Sequence, residues 1–283
     1  MKLDELNQRI KALDVGESLR LENVPDEVYH QSEGFGSSKI KSFMASPLKF
    51  KWEQDHPIEQ SPAMIKGSAF HCAVLEPDRY NRDYAVAPAI DKRTKKGKEE
   101  WSEFQSSSEG KTVIDAKTAE EVNQMVDSCL AQFGGYLSDF KPEVSYWRRH
   151  RTGLVLKARI DAEVGRIAYD LKSTKDPLGF DREAVRYDYH IQATHYGWVS
   201  QLAHMVFLPT GNSPPYISGQ PVEYSPEDLN DFYPAWAKAI EDLSDALDFD
   251  EWSAPDNTIK QIIIPAWKLA EQGIAPTFEE VNR

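Results

Sequence analysis

Asp170 and Lys172 form an acid-x-lysine triplet, and a second acid, Asp161, stands nine residues upstream across a Gly165-Arg166 pair. Two carboxylates on neighbouring strands can hold a hard divalent ion through oxygen. A lysine two positions beyond the second acid reaches the same place to orient or deprotonate a water. That chemistry is metal-assisted phosphodiester hydrolysis. The triplet alone is a weak signal, because it arises by chance roughly once in a chain of this length and composition. Its weight comes from the elements that must carry it.

Leu154, Leu156, Ala158, Ile160, Ala162 and Val164 alternate with Val155, Lys157, Arg159, Asp161 and Glu163. This predicts a strand with one apolar and one mostly charged face, Asp161 lying on the charged one. Gly165-Arg166 reads as a tight turn into a second strand, where Ile167, Tyr169 and Leu171 oppose Ala168, Asp170 and Lys172. Asp170 and Lys172 therefore share a face. An earlier strand begins at Glu143, and the three together predict an antiparallel meander. A helix over 182–202, strands near 205–208 and 216–224, and an acidic helix from Ser225-Pro226 are expected to follow.

Upstream, the pattern predicts an amphipathic opening helix and a helical pair over 37–52, with Ser37 or Ser38 as N-cap and Pro47 at the break. Helices over 63–75, ended by Glu76-Pro77, and 116–133, ended by Gly134-Gly135, come next. Residues 88–98 carry five bases, one acid, a proline and a glycine, and read as a mobile exposed loop. No internal repeat or low-complexity linker is present. The expected organisation is an N-terminal arm and helix (1–36), a main core (37–224) and an acidic helical C-terminal extension (225–283).

The 283 residues carry a formal net charge of −13, yet residues 223–283 alone hold 14 acids and 4 bases, so the remainder is close to neutral. Basic stretches sit within that remainder: Lys39, Lys41, Lys49 and Lys51; Lys92, Arg93, Lys95, Lys96 and Lys98; and Arg148, Arg149 and Arg151. A polyanion can bind such stretches without a basic isoelectric point. Two cysteines, Cys72 and Cys129, exclude a disulfide framework and any four-cysteine metal site. No apolar run approaches the roughly 18 residues of a membrane span, so no membrane partner and a cytoplasmic location are expected.

The stretch from Lys157 to Tyr196, KARIDA(x)6YDLKSTKD(x)12YHIQATHY, resembles the RecB-like branch of the PD-(D/E)xK nucleases, specifically the exonuclease VIII, RecE-type, nuclease domain. The segments at 24–52, 66–80 and 87–101 resemble that family in the same order, so the likeness runs from about residue 20 to 235. It implies an α/β, restriction-endonuclease-like core: a mixed central sheet containing the three-strand antiparallel meander, flanked by helices. It further implies Asp161, Asp170, the Leu171 carbonyl and His71 as metal ligands, Lys172 as the catalytic lysine, and Mg2+ as cofactor with Mn2+ as substitute. Glu143 is similar to the first-strand acid of the superfamily, or is an exposed strand acid.

Gln192 and Tyr196 match a Q-x-x-x-Y pattern and share a helix face, from which they would contact the scissile strand; core packing is the rival role for Tyr196. Lys92, Arg93, Lys95, Lys96 and Lys98 would meet phosphates without reading sequence, or are simply a solvated charge run, and Arg148, Arg149 and Arg151 could act likewise. Trp101, Trp147 and Trp198 are read as core residues in preference to base-stacking ones. The resemblance implies a processive 5′ to 3′ exonuclease on linear double-stranded DNA ends. It implies recombination alongside a single-strand annealing protein, a homo-oligomeric ring and a phage or prophage setting. A structure-specific or RecB-like endonuclease of the same fold, and a non-catalytic DNA-binding recombination protein, are the competing functions.

Overall fold

The computed structural model describes residues 1–56 and 59–254. Residues Met1–Trp252 make one compact unit. Helix α1 (Leu3–Lys11), strand β1 (Ser18–Leu21) and helices α2 (Asp26–Gln31), α3 (Ser37–Ala45), α4 (Pro47–Asp55), α5 (Pro62–Leu75) and α6 (Pro77–Asp83) come first. Strand β2 (Tyr84–Ala87), α7 (Lys95–Ser107), β3 (Thr112–Asp115) and α8 (Ala116–Phe133) lead into the central run. That run is β4 (Lys141–Arg149), β5 (Val155–Val164), β6 (Ile167–Thr174), α9 (Phe180–Arg186), α10 (Tyr189–Ser200), β7 (His204–Gly211) and α11 (Pro226–Phe249).

The main sheet has the order β1-β4-β5-β6-β7, antiparallel from β1 through β6 and parallel between β6 and β7. The expected meander is its centre, and the sheet is mixed because α9 and α10 return the chain for a parallel partner. On β6 and β7 the alternation is clean. Ala168, Met205 and Phe207 pack in a cluster with residues of α3, α10 and α11, whereas Tyr169, Leu171 and Leu208 pack with residues of α5 and α8. Burying each of the larger ones, such as Leu171, Met205, Phe207 and Leu208, contributes about 1.5–3 kcal/mol. A third cluster joins Leu6 and Ile10 of α1 and Tyr29 of α2 to Trp147 of β4.

The charged face of β5 is buried rather than solvated, because α2 and residues 24–32 fold over it. Lys157 Nζ donates to the carbonyls of Tyr29 and Ser32, both at 2.8 Å. Arg159 donates to Ser145 Oγ, Asp26 Oδ1 and the Val24 carbonyl. Glu163 accepts from Arg20 and from the Tyr146 hydroxyl. Arg159 and Glu163 meet opposite charges, whereas Lys157 is held by neutral oxygens alone, and each of these buried polar groups has its hydrogen-bond partners. Nor do the apolar residues of β5 share one core: Leu156, Ala158 and Ile160 belong to the α10 cluster, Ala162 to the α5–α8 cluster. The change falls at Asp161.

Several boundaries differ from expectation for local reasons. Gly36, with no side-chain cap, precedes α3 in place of Ser37 or Ser38, while Ser46 caps α4 by accepting from Lys49 N–H. The segment 88–98 is not one loop: the Thr94 hydroxyl accepts from Gly97 N–H and starts α7 at Lys95. The helix expected over 182–202 is two, parted at Asp188, whose φ of 52° is left-handed. The strand expected near 216–224 is reduced to isolated bridges, Phe207 with Val222 and Thr210 with Ser218. The acidic helix forms as α11; the rest of the expected C-terminal extension, 255–283, lies outside the described residues. Among the described residues no helix is long and apolar enough to cross a membrane.

Candidate active site

The register places three acids in one row. β4 and β5 pair Pro142 with Ala162 and Val144 with Ile160, so Glu143 falls opposite Asp161. β5 and β6 pair Ala162 with Tyr169, so continuing that register sets Asp161 opposite Asp170. Both ladders are interrupted at this row. Glu143 takes a φ of 50°, a left-handed conformation that a non-glycine residue adopts at a cost of about 1–2 kcal/mol. Past Ala162 the strands part, and the Leu171 N–H turns to the Asp161 carboxylate at 2.8 Å instead of to a β5 carbonyl.

Three side chains from other positions close on this row. His71 comes from the middle of α5 and puts Nδ1 3.2 Å from Asp161 Oδ2. Lys172 Nζ lies 2.5 Å from Asp170 Oδ2 and donates to Gln192 Oε1 at 2.9 Å. Gln192 on α10 in turn donates through Nε2 to Asp170 Oδ1 at 2.6 Å. The Tyr189 ring, 4.5 Å from Lys172 Nζ, and the Phe207 ring, 5.4 Å away, cover the ammonium from the side. Gln192 is thus placed to hold the Lys172–Asp170 pair, and both of its polar ends are engaged.

Electrostatics separates the acids. Burial pushes the Glu143 carboxyl up to about 8, and the Asp161 charge adds to this. Asp170 is raised as well, by burial first, with the Lys172 ammonium only partly offsetting it. Asp161 goes the other way: burial opposes ionisation, but His71 and Lys172 hold its carboxyl below the usual range. Burial would lower His71, and Asp161 overcomes that to raise it. Lys172 is raised because Asp170 outweighs its burial.

Whether a divalent cation suits these residues turns on donor chemistry. Asp161, Asp170 and the Leu171 carbonyl offer hard oxygens, and His71 offers one imidazole nitrogen. Asp170 Oδ2 is buried and makes no well-directed hydrogen bond; its close neighbour is the Lys172 ammonium. The donor types fit a divalent metal. Among the described residues, however, no three His, Cys, Asp or Glu side chains are gathered as a ready metal cage. His71 is closed onto Asp161 and Lys172 onto Asp170, so each acid is engaged by a cation of the chain itself.

A cleft of about 300 Å3 opens beside the row, lined by Glu143, Asp161, Tyr196, Lys157, Arg159 and the start of α3. Tyr196 therefore stands at the cleft wall, where burial raises its hydroxyl well above the ordinary value. Lys39 also lines this cleft, as do Asp26 and His30. Sequence reasoning did not connect Lys39, Lys157 and Arg159 with the acids, although the charged positions of β5 were the signal for the last two. Lys92, Arg93, Lys95, Lys96 and Lys98 do not line it. They are exposed at the start of α7 and the turn before it, with Lys92 Nζ 3.0 Å above the Trp101 ring.

The third basic stretch is structural. Arg149 donates to the carbonyls of Ile10, Lys11 and Leu13, neutralising the C-terminus of α1, and Arg148 donates to the Trp198 and Gly16 carbonyls. Arg151 pairs with Glu241. Trp147 is fully buried and donates to Ser32 Oγ, while Trp198 packs against Trp236 and His150, so neither is free to stack on a base. Cys72 and Cys129 are both buried free thiols.

Residues 36–208, more than half of the chain, match the model of a family described as a PDDEXK-like domain of unknown function (DUF3799). No curated protein matches the chain. Among solved structures, the chain is similar to the crystal structure of a candidate exonuclease from Eubacterium rectale. The TM-score is 0.57 at 12% identity, over 86% of this chain and 97% of that one. At that identity the likeness shows the fold.

Proposed function

The chain belongs to the PDDEXK-like domain family DUF3799, and from that premise we propose that it is a magnesium-dependent deoxyribonuclease working from the ends of linear duplex DNA. The observation that carries this reading is the row Glu143, Asp161 and Asp170, where the β4–β5 ladder is interrupted and β5 and β6 part, with Lys172 on Asp170 and His71 on Asp161. A fold alone does not specify chemistry, whereas this set of groups does.

Asp161, Asp170, the Leu171 carbonyl and His71 would hold Mg2+, or Mn2+ in its place. When bound, such an ion supplies Lewis-acid polarisation of a phosphate oxygen and a clamp on the reacting groups. Lys172 then orients the attacking water and holds positive charge beside the phosphate as negative charge develops. Gln192 keeps Lys172 and Asp170 in register. Glu143, protonated near neutral pH by its burial, adds no charge to the acid row until a cation or higher pH draws off its proton. Displacement in line leaves a 5′-phosphate on the product.

Processive 5′ to 3′ degradation, assembly into a homo-oligomeric ring, and cooperation with a single-strand annealing protein in recombination complete the proposal; the sequence resemblance supports these. The test uses linear duplex labelled at either the 5′ or the 3′ end, alongside covalently closed circles. Early release of 5′ label as short products with intact circles is the expected result. Cut circles would make the protein an endonuclease of the same fold, and early release of 3′ label would reverse the polarity.

A further inference from the structure

A second recess lies beyond Lys39, away from the acids. Its volume is about 350 Å3, within the range of small-molecule sites, and Phe35, Phe50, Leu247 and Trp252 give it an aromatic and aliphatic lining. The rings are arranged as a platform. Phe50 and Trp252 stack with centroids 5.8 Å apart and planes inclined by 28°, and Phe35 lies 6.3 Å from Phe50. Two ammonium groups border it: Lys39 Nζ is 5.7 Å from the Phe35 ring, and Lys51 Nζ is 5.9 Å from the Trp252 ring.

One charge of this recess, that of Lys39, is not balanced by the protein. Among the described residues Lys39 has no carboxylate within ion-pair reach, although it is half-buried, and burial pushes its ammonium down. The acid of the wall, Glu33, is already held by Lys11 at 2.9 Å, and Lys51 has Asp55 at 3.3 Å. Lys157, buried close to Lys39, donates to carbonyls and to the Ser32 hydroxyl, all neutral, and the two lysines repel one another. Such an arrangement favours an anion arriving from outside. Lys39 lines both this recess and the cleft of Asp161, so the two adjoin at this residue.

We propose that this recess holds an unpaired nucleotide of the DNA strand engaged at the acid row, its base stacked on Trp252 and an adjacent phosphate facing Lys39 and Lys51. The inference rests on the nuclease reading and extends it to the substrate: a single-stranded end is gripped next to the point of cleavage. An aromatic platform bordered by lysines is what sequence-independent single-strand binding requires, since every base has a face to stack and every nucleotide has a phosphate. Lys39 serves both clefts; Trp252 and Lys51 belong to the recess alone.

Binding and cleavage are compared for blunt duplex and for the same duplex with a four-nucleotide overhang carrying 2-aminopurine, using full-length wild type, Trp252→Leu, Trp252→Tyr and Lys51→Gln. Wild type should prefer the overhang and quench the 2-aminopurine. Trp252→Leu should lose at least about fivefold of that preference, as expected for one base–aromatic stack, and lose the quenching. Trp252→Tyr should restore both, and Lys51→Gln should lower the overhang preference while keeping the quenching. Thermal melting confirms that each variant folds. Overhang preference and quenching unchanged in a folded Trp252→Leu protein that still cuts blunt DNA would overturn the proposal and leave the nuclease reading intact. Failure of wild type to bind or cut either DNA would overturn both.

Discussion

Lys172 and Asp170 share one side of β6 two residues apart, and the lysine ammonium rests 2.5 Å from Asp170 Oδ2. The pair solves two problems at once. Each group neutralises the other in a buried place, and each is a group the proposed hydrolysis would need next to a phosphate. Removing the lysine leaves both acids in position, so Lys172→Gln should reduce turnover by about 10²-fold or more at saturating Mg2+ while the metal still binds. Single-turnover rates across a Mg2+ titration check this. A lost affinity for metal with normal saturated turnover would assign Lys172 to structure.

The acid row also governs stability. The Glu143 carboxyl, raised from 4.5 to about 8, binds its proton more tightly in the folded protein than in the unfolded chain. Its stabilising contribution is therefore complete below about 4.5 and is lost as pH rises through about 8. Glu143→Gln removes that dependence. Its Tm, relative to wild type, should rise progressively between pH 5 and 8.5. The rise should reach several degrees, because each tenfold difference in proton affinity between folded and unfolded chains is worth about 1.4 kcal/mol. Parallel Tm curves for the two proteins would show that Glu143 ionises normally.

Metal binding has its own readout. If Asp161 and Asp170 hold a divalent ion, Mg2+ at about 100-fold above its Kd should stabilise the wild type by about 2.7 kcal/mol. Asp161→Asn should abolish that stabilisation. His71→Ala should raise the Mg2+ concentration that produces it, and an unchanged titration would return His71 to a packing role.

Part of this candidate site was legible in the sequence because period-2 alternation and a turn suffice to place Asp161 and Asp170 on neighbouring strands. His71 could be joined to them only by resemblance, since it arrives from a helix about ninety residues earlier in the chain. The buried state of Lys157 and Arg159 was hidden for a different reason. Alternation shows that they share a face, but whether that face meets water depends on α2 folding over it. The break between α9 and α10 was missed because Asp188 adopts a left-handed conformation that tertiary packing imposes and no local glycine announces. Thr94, three residues before Gly97, did offer a helix-start signal, which the density of basic residues masked.

The exposed bases at the start of α7 make a separate claim. Converting Lys92, Arg93, Lys95 and Lys96 to glutamine should reduce the slope of log affinity against log salt by about 0.9 for each lost phosphate contact on duplex DNA. Binding should weaken on all sequences alike, with hydrolysis of a short oligonucleotide at saturation unaffected. Isotherms at several salt concentrations measure this. Identical slopes and intercepts would make the segment a solvated face.

The central claim is that the Asp161–Asp170 row hydrolyses DNA with a divalent ion, and degradation of linear duplex by wild type and Asp170→Asn, each with Mg2+ and with chelator, tests it most directly. Wild type with Mg2+ should digest the duplex, chelator should stop it, and a folded Asp170→Asn protein should be slower by about 10³-fold or more. Digestion by Asp170→Asn at the wild-type rate, or by wild type undiminished under chelator, would contradict the account.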